Sequence, residues 1–487
     1  MRVALHASCT ASLVMITILM GTAASPMNPK SSVGGPSTLP ASVGSLTADP
    51  AAIRRVPRHG SNAYTVIFEG AGNVVGEGEL YLLHEELLLR NASVTVFARS
   101  NPNEKLGPPS WDFLWSRRPD TIPSPGALDS WRRTNHVPGL HLLTSKKNLA
   151  ILVPLANLSG VPATLVSPGE VHGMLRRGAI PPSDLRLSLS LHRAPPPHVP
   201  RPEAVSPRCD WLAKSPSHGG VEPLCGPPAA ILDRAETRLA GGGIIQAAVR
   251  DPLLIDGASF DLGVYVLITG ASAATVRARV FSDVLLRFCE APREGHEGSL
   301  PYGGLGGAAA PTATSRMVVG GKYRAAWEMP SLREHFDTTK TQGAGRATWP
   351  GRIALEAHLT NVTGDPGAFQ TLWRAVSEAV GETLAAVQPA VSSGVEKYWQ
   401  QEDHFLELLR YDFVVDTNLV PWLVEVNASP NLFPKSAPQE ALLRTLCRGV
   451  VDAMITKMRQ GADARPMEEG DSGRSHQVWT VCWEEPG

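Results

Sequence analysis

A short acidic segment near the C-terminus is the feature that most constrains the fold of this chain. Residues 410–427 read RYDFVVDTNLVPWLVEVN, two runs rich in β-branched and aromatic residues that are joined by a turn ending at Pro421. Such a pattern predicts an antiparallel hairpin. If Asp416 pairs with Pro421, Asp412 lies directly opposite Glu425, and the two Cβ atoms are then roughly 4.5–5.5 Å apart.

This hairpin is expected to gather oxygen-bearing side chains on one face. Side chains alternate along a strand, so Glu425 and Asn427 share the face on which Asp412 lies. Opposed carboxylates repel one another, whereas two carboxylates and a carboxamide oxygen suit Mg²⁺ that also binds substrate phosphates. The sequence therefore predicts a magnesium site at Asp412, Glu425 and Asn427. The alternative is a solvated hairpin face on which the acids are incidental.

Charge and cysteine content exclude some classes of protein. The 487 residues include 45 Lys and Arg against 46 Asp and Glu, so no net positive field favours nucleic acid as a partner. Six cysteines are spread along the chain without metal-ligand spacing, which argues against a zinc site and a disulfide framework. We expect free thiols, with a Cys209–Cys225 pair as the alternative for a lumenal protein.

The N-terminus is predicted to direct the chain to a membrane or the secretory route. Residues 3–25 contain no formally charged side chain and have small residues at their end. That pattern is typical of a signal peptide, and a stretch of about 20 residues is also long enough for a signal anchor. In a lumen the sequons at Asn91 and Asn157 would allow glycosylation, whereas those at Asn361 and Asn427 lie inside other motifs.

Changes in composition divide the chain into segments. Segments rich in Pro, Ser, Gly or Ala, or in polar residues, predict flexible regions between folded units. The expected divisions are a signal segment at 1–25, a disordered linker at 26–60, an N-terminal domain at 61–191, a Pro-rich loop at 192–208, a central domain at 209–290, a Gly/Ala-rich insertion at 291–321, a C-terminal domain at 322–460 and a polar tail at 461–487.

Hydrophobic periodicity predicts both strands and helices. The expected strands lie within Tyr64–Arg99 and at Gly243–Val249, Leu262–Thr269 and Val276–Phe281, and the expected helices at Phe369–Val387, His404–Arg410 and Ala441–Met458.

Three charged residues upstream of the hairpin are candidates for nucleotide binding. Lys214 ends a short apolar run in WLAKSPSHGG, where a lysine beside backbone amides can meet phosphates, although a plain surface lysine is the alternative. Asp261 opens a strand, and Arg287 lies inside the apolar VFSDVLLRFC. A buried arginine needs an anionic partner, because an unpaired buried charge is costly.

These segments, taken in order, resemble the tubulin–tyrosine ligase-like family of ATP-grasp amino-acid ligases. The resemblance extends over about residues 111–434 and is closer to the polyglutamylase-like branch than to tyrosine ligase. The similar segments are WDFLWS (111–116), NHVPGLHLLTSKKNLA (135–150), WLAKS (211–215), SFDLGVYVLITG (259–270), HLTN (358–361) and YDFVVDTNLVPWLVEVNASP (411–430).

The resemblance implies a fold, a pair of cofactors and a set of roles. The implied fold is of the α/β (α+β) class, an ATP-grasp type with a smaller N-terminal domain and antiparallel sheets flanked by helices. ATP and Mg²⁺ are the implied cofactors. The implied roles are Asp412, Glu425 and Asn427 for the metal, Lys214 for the α/β-phosphates, Gln246 for the adenine, Asp261 for ribose or substrate, Arg287 and Lys146 for the γ-phosphate and acylphosphate, and His358 and Asn361 near the phosphates.

The chain departs from this family at two cations. Ser259 stands where the family strand has lysine, and Gly263 stands where it has arginine. Loss of a catalytic cation can cost several kcal/mol of transition-state stabilisation. We therefore expect another cation near Gly263. Arg287 is the leading candidate, with Arg250 and Lys322 as alternatives.

The implied activity is addition of free glutamate to a protein carboxylate through an acylphosphate, with the tubulin tail as the expected acceptor. The expected partners are then tubulin or microtubules, without nucleic acid, and a membrane through residues 1–25. The expected location is at a membrane, at microtubules or cilia in the cytoplasm, or in the secretory lumen. A catalytically inactive scaffold that binds nucleotide or tubulin is the alternative from a different class, favoured by Ser259 and Gly263. A lumenal ligase with another substrate is a third hypothesis.

Overall fold

The computed structural model defines the elements that position the candidate site. It describes residues 64–69, 78–97, 111–117, 132–158, 160–170, 211–216, 220–225, 228–249, 251–272, 274–290, 323–336, 350–398, 404–462 and 479–483. The predictions for residues 1–25, 26–60, 192–208 and 291–321 lie outside these ranges. Within them, no helix is both long and apolar enough to cross a membrane.

A mixed sheet of twelve strands forms the centre of the described fold. Its strands are β1 (Thr65–Glu69), β2 (Ser93–Phe97), β3 (Phe113–Ser116), β4 (Arg133–Asn135), β9 (Leu254–Ile255), β10 (Ala258–Ala271), β11 (Val276–Phe281), β12 (Leu285–Phe288), β13 (Arg324–Ala325), β14 (Phe405–Val415), β15 (Pro421–Ala428) and β16 (Trp479–Trp483). Four N-terminal strands are parallel, and β4 joins them to β14. The remaining pairs are antiparallel.

Helices cover both faces of this sheet. They are α1 (Tyr81–Leu89), α2 (His141–Thr144), α3 (Lys146–Ala156), α4 (Pro228–Ala240), α5 (Pro350–Thr363), α6 (Ala368–Val395) and α7 (Ala437–Ala462). Alternate residues of β10 enter different cores, because side chains alternate along a strand. Val264 packs in the core that contains α6, whereas Tyr265 packs in the core that contains α1 and α7.

A second, four-stranded sheet lies beside the first. Its order is β5-β8-β6-β7, with β5 at Thr164–Leu165, β6 at Trp211–Lys214, β7 at Val221–Leu224 and β8 at Ile244–Ala247. Helix α4 packs on it through Ala235 and Leu239, which form a separate small core with Trp211 and Ile245. A mixed sheet and an antiparallel sheet, both flanked by helices, confirm the predicted α/β class and the ATP-grasp type of fold.

One predicted helix is wrong, and the error matters for the site. Residues 404–410 were expected to be helical, but β14 begins at Phe405 and runs without interruption to Val415. Its pairing with β10 along Leu262–Ile268 supplies the hydrogen bonds that a helix would have supplied internally. As a result Arg410 lies on a strand, two residues from Asp412 and on the same face.

Other elements also differ from the sequence-based expectations. The segment expected to be strand-like before Arg99 contains α1 between its two strands. The expected helices at Phe369–Val387 and Ala441–Met458 are confirmed within longer helices. In the region predicted as a polar tail, β16 pairs with β11.

The expectation of free thiols is wrong for Cys225, which the alternative had placed in a disulfide with Cys209, a residue outside the described ranges. Cys225 is disulfide-bonded, whereas Cys289 and Cys447 are free and buried. The spacing of cysteines in a sequence does not indicate which of them come together in the fold.

Candidate active site between the two sheets

The acidic hairpin forms as predicted, but through an irregular register. Val415, and not Asp416, pairs with Pro421, and a bulge at Val424 then shifts the register so that Asp412 pairs with Glu425. A bulge places two residues of one strand opposite one residue of its partner. Without that extra residue, Asp412 would face Val424, and Glu425 would point to the other side of the sheet.

The three predicted metal ligands converge on one point. The Asn427 amide nitrogen (Nδ2) donates to Asp412 Oδ2 at 2.9 Å and to Glu425 Oε1 at 3.2 Å. Asp412 is 1% exposed, whereas the Glu425 side chain is 24% exposed. No group of three or more His, Cys, Asp or Glu in the described part of the chain is arranged for a metal ion. A cation here would need further oxygen ligands from water or phosphate, which is the usual situation for Mg²⁺.

Two guanidinium groups hold the Asp412 carboxylate. Arg410 donates from Nε to Oδ1 at 2.7 Å and from Nη2 to Oδ2 at 3.0 Å. Arg287 Nη2 lies 2.9 Å from Asp412 Oδ2. Burial alone would raise the pKa of Asp412, but Arg287 and then Arg410 lower it well below its usual range. The carboxylate therefore remains charged inside the protein.

Arg287 has the anionic partner that its burial required. It pairs with Asp261 through two hydrogen bonds, Nε to Oδ1 at 2.7 Å and Nη2 to Oδ2 at 2.8 Å. The two residues are directly opposed between β10 and β12. Burial raises the pKa of Asp261 to about 6 against the lowering effect of Arg287. This bidentate geometry fixes the guanidinium beside Asp412.

Two lysines approach the hairpin from the other side. Lys146, the first residue of α3, has its Nζ 3.5 Å from Glu425 Oε2. Lys214, at the end of β6, donates from Nζ to the Val424 carbonyl at 3.3 Å. Burial lowers the pKa of Lys214 to about 8, with Glu425 acting in the opposite direction. Lys214 therefore carries its charge at neutral pH and faces the acids from the smaller sheet.

An open cleft separates the two sheets at this point. It has a volume of about 340 Å³, and Lys146, Ser215, Gly243, Glu425 and Asn427 are among the residues that line it. A cavity of this size is within the range of small-molecule sites. The cluster around it contains Lys146, Lys214, Arg287 and Arg410 against Asp261, Asp412 and Glu425. Of these seven, Lys146 and Glu425 line the cleft itself, and the four cations outnumber the three acids by one.

Three of the predicted nucleotide residues lie away from this cluster. Gln246 is buried in the small sheet, where Nε2 donates to Thr164 Oγ1 at 3.2 Å. Its Oε1 is buried without a hydrogen-bond partner among the described residues, as expected of a group that receives a ligand donor. His358 and Asn361 lie on α5, and His358 is near Asp256. Their role near phosphates stays a prediction.

The structure places the candidate cations for the position of Gly263 differently. Arg250 and Lys322 lie outside the described residues. Arg287 is committed to Asp261, and the side chain nearest to Gly263 is that of Arg410. Sequence reasoning missed Arg410 because it was assigned to a helix. The alternation in FLELLRYDFVV was the signal that could have placed it beside Asp412.

The fold and the site together define an ATP-grasp-type arrangement, in which a cleft between two sheets is lined by Lys146, Glu425 and Asn427, with Asp412 paired to Glu425 behind it. The sequence model of the tubulin-tyrosine ligase family matches residues 236–295 and 353–463, which include Arg287 and the whole hairpin. Over these residues the chain is similar to the tubulin-tyrosine ligase family, and its similar relatives include tubulin polyglutamylases.

Its curated relatives are described as glutamylases. The chain is 26% identical over 341 residues to the probable tubulin polyglutamylase ttll-15 of Caenorhabditis elegans, covering 68% of this chain and 54% of that protein. It is 28% identical to the mouse tubulin monoglutamylase TTLL4, over 40% of this chain and 14% of that protein. It is 27% identical to the human tubulin polyglutamylase TTLL13, over 50% of this chain and 27% of that protein. The matches thus span about half of the nematode relative and smaller shares of the others.

Proposed function

We propose that this chain is an ATP-dependent ligase that adds glutamate to a side-chain carboxylate of a protein acceptor, with the acidic tail of tubulin as that acceptor. The observation that carries the proposal is the convergence of Asp412, Glu425 and Asn427 beside a cleft, on a hairpin that Lys146 and Lys214 contact. The names of the glutamylase relatives supply the choice of amino acid and acceptor.

The proposed reaction has two steps. In the first, an oxygen of the acceptor carboxylate attacks the γ-phosphorus of ATP, the bond to the β-phosphate oxygen breaks, and ADP and an acylphosphate result. In the second, the amino group of free glutamate attacks the acyl carbon, inorganic phosphate leaves with the bonding electrons, and the amine loses a proton. An amide bond is formed, and no covalent intermediate with the protein is required.

The residues of the cluster contribute charge and position to these steps. Phosphoryl transfer depends chiefly on positioning and on neutralising charge at the phosphate oxygens. Lys214 is suited to the α/β-phosphates because it reaches the hairpin from the sheet that also carries Gln246. Lys146 and Arg287 are suited to the transferred group. Mg²⁺, held by Asp412, Glu425 and Asn427, would neutralise further charge on the phosphate oxygens.

The test is incorporation of labelled glutamate into purified tubulin by the full chain, with and without ATP. Wild type is expected to incorporate glutamate only with ATP. Glu425→Gln is expected to abolish incorporation, because the metal loses one of its two carboxylates. Its apo thermal stability should be unchanged or higher, because a repulsion with Asp412 is removed. Glu378→Gln, at an exposed position on α6, is the matched control and should behave as wild type.

Two outcomes would contradict the proposal in different ways. Wild-type protein that binds Mg·ATP but incorporates no glutamate into any acceptor would favour the inactive scaffold suggested by Ser259. Full activity of Glu425→Gln would remove the metal assignment. Marked destabilisation of apo Glu425→Gln would indicate a structural role for the carboxylate.

A second candidate is the same ligase chemistry on an acceptor inside the secretory pathway. The Cys225 disulfide favours it, because disulfides persist in oxidising compartments and are rare in the cytosol. Peptide mapping of non-reduced protein from its natural source tests this candidate. Oxidised Cys225 together with a processed N-terminus or glycans at Asn91 or Asn157 would support it. A reduced thiol with unmodified sequons would exclude it.

A further inference from the structure

Gly263 lies in the middle of the site, and the structure leaves little room for a side chain there. It is directly opposite Asp412 in the ladder between β10 and β14. A Cβ atom built on Gly263 would lie 3.2 Å from Arg410 Cδ and 3.3 Å from Leu285 Cβ. Both separations are shorter than ordinary carbon–carbon contacts. A side chain at this position would require the stem of Arg410 to shift, by a few tenths of an ångström for a Cβ atom alone.

Arg410 takes up the space above Gly263. It is paired with Tyr265, the next residue of β10 on the same face, so its side chain extends diagonally across the strand toward Asp412. Its two hydrogen bonds to the Asp412 carboxylate end this path. Only 13% of the Arg410 side chain is exposed. The guanidinium is therefore fixed within the site and is not a solvated surface charge.

We propose that Arg410 supplies, from β14, the cationic group that the family strand supplies from the position of Gly263 on β10. The two arrangements compete with one another because both side chains would occupy the volume beside Gly263. Gly263 and Arg410 together then move the cation from one strand to its neighbour. The departure at Gly263 does not leave the site short of a cation. Arg410 acts as a positioning residue: it fixes the Asp412 carboxylate while adding positive charge beside it.

This inference accounts for the different hydrogen-bond partners of the two buried arginines. Arg287 holds Asp261 through two hydrogen bonds and reaches Asp412 with one nitrogen. Arg410 holds Asp412 with two. Each carboxylate thus has its own bidentate partner: Asp261 is held by Arg287 and Asp412 by Arg410. Bidentate pairing sets the orientation of a carboxylate as well as its charge.

The test exchanges the two residues. The variants are Arg410→Gly, Gly263→Arg and the double variant Gly263→Arg/Arg410→Gly, each measured for apo thermal stability and for Mg·ATP affinity by calorimetry. Arg410→Gly is expected to weaken Mg·ATP binding at least tenfold, which is about 1.4 kcal/mol. Gly263→Arg alone should lower thermal stability, because it forces two side chains into one space. The double variant should recover affinity to within about threefold of wild type and should be more stable than the two single changes predict by addition.

Two further variants make the result specific. Arg410→Lys keeps the charge but not the two parallel hydrogen bonds, so it should bind Mg·ATP more weakly than the double variant does. Arg279→Gly, on β11 and away from the cluster, controls for the loss of a strand arginine and should leave Mg·ATP affinity unchanged. Additive effects in the double variant, or wild-type affinity in Arg410→Gly, would overturn the inference.

The part of this inference that concerns phosphate charge rests on the proposed function, and the two can fail separately. If wild-type protein binds no nucleotide, the proposed ligase activity fails. The stability cycle in the apo protein still decides whether Gly263 and Arg410 share one space. A favourable coupling between the two changes would support the exchange, and its absence would exclude it.

Discussion

Asp412 and Asp283, two acids of the large sheet and its turns, are both buried, and yet their pKa values are shifted in opposite directions. Asp412 is 1% exposed and Asp283 is 0% exposed. Asp283 lies between β11 and β12, and its Oδ1 accepts from the backbone N–H groups of Val284 at 2.8 Å and Arg352 at 2.7 Å. Burial raises the pKa of Asp283 to about 7 against these hydrogen bonds, whereas the guanidinium groups around Asp412 lower its pKa.

The difference separates a buried acid that accepts from backbone amides from one that is paired with two buried cations. Asp283 connects the β11–β12 turn to the first turn of α5, and a protonated acid can make that connection nearly as well as an anion. Asp412 is paired with Arg410 and Arg287, and these guanidinium groups attract it only while it is charged. A fold does not need a buried anion with two buried cations, since well-packed apolar residues are often as stable. The charge at Asp412 is therefore what the proposed metal site predicts.

The largest effect that tests this comparison is expected from Asp412→Asn. The change leaves Arg410 without its anion and Arg287 with one fewer, so we expect the free energy of unfolding to fall by about 3–5 kcal/mol. Chemical denaturation at pH 5.5 is the measurement. Asp283→Asn is the matched control and should have a much smaller effect, because Asn resembles the protonated acid. Equal losses in the two variants would mean that both acids are structural.

The next largest effect is expected from pH at Asp283. Its pKa in the folded state, about 7, is above the ordinary value of 3.8, so the folded state binds more protons between these values. Its contribution to stability is fully present below about pH 4 and is lost as the pH rises to about 7, by on the order of 4 kcal/mol. The difference in unfolding free energy between wild type and Asp283→Asn, followed from pH 4 to 8, measures it. A difference that is independent of pH would contradict the assignment.

The smallest effect extends the comparison to a cation. Burial lowers the pKa of Lys214 to about 8, so this residue loses its charge above that pH while the site is empty. If Lys214 binds phosphates only when charged, Mg·ATP affinity should fall about tenfold between pH 7 and pH 9. Calorimetry across this range tests the point, with Lys214→Arg as the variant that stays charged. An unchanged pH profile in Lys214→Arg would show that another group is responsible.

The sequence was sufficient for the parts of the site that depend on local alternation. The hairpin, the pairing of Asp412 with Glu425 and the anionic partner of Arg287 all follow from strand periodicity and from the cost of a buried charge. The register was correct at Asp412, although Asp416 does not pair with Pro421. The bulge at Val424 makes up for that difference, and no residue type near it indicates a bulge.

The remaining parts depend on contacts between segments far apart in the chain. Arg410 was missed because residues 404–410 were assigned to a helix, and only pairing with β10 decides in favour of a strand. The exchange between Gly263 and Arg410 joins positions that are separated by most of the C-terminal half of the chain. The Cys225 disulfide likewise depends on a partner that sequence spacing does not identify.

The bulge at Val424 also makes the length of the hairpin a fixed quantity. Val424 is the residue left over in the ladder, and its carbonyl is the group that Lys214 contacts from the smaller sheet. The same surplus residue sets which way Glu425 points and supplies an attachment point for the neighbouring sheet. Deleting one residue from β15 would reverse the faces of those that follow and remove that attachment at the same time. Homologous hairpins that vary freely in composition should therefore be unable to vary in length.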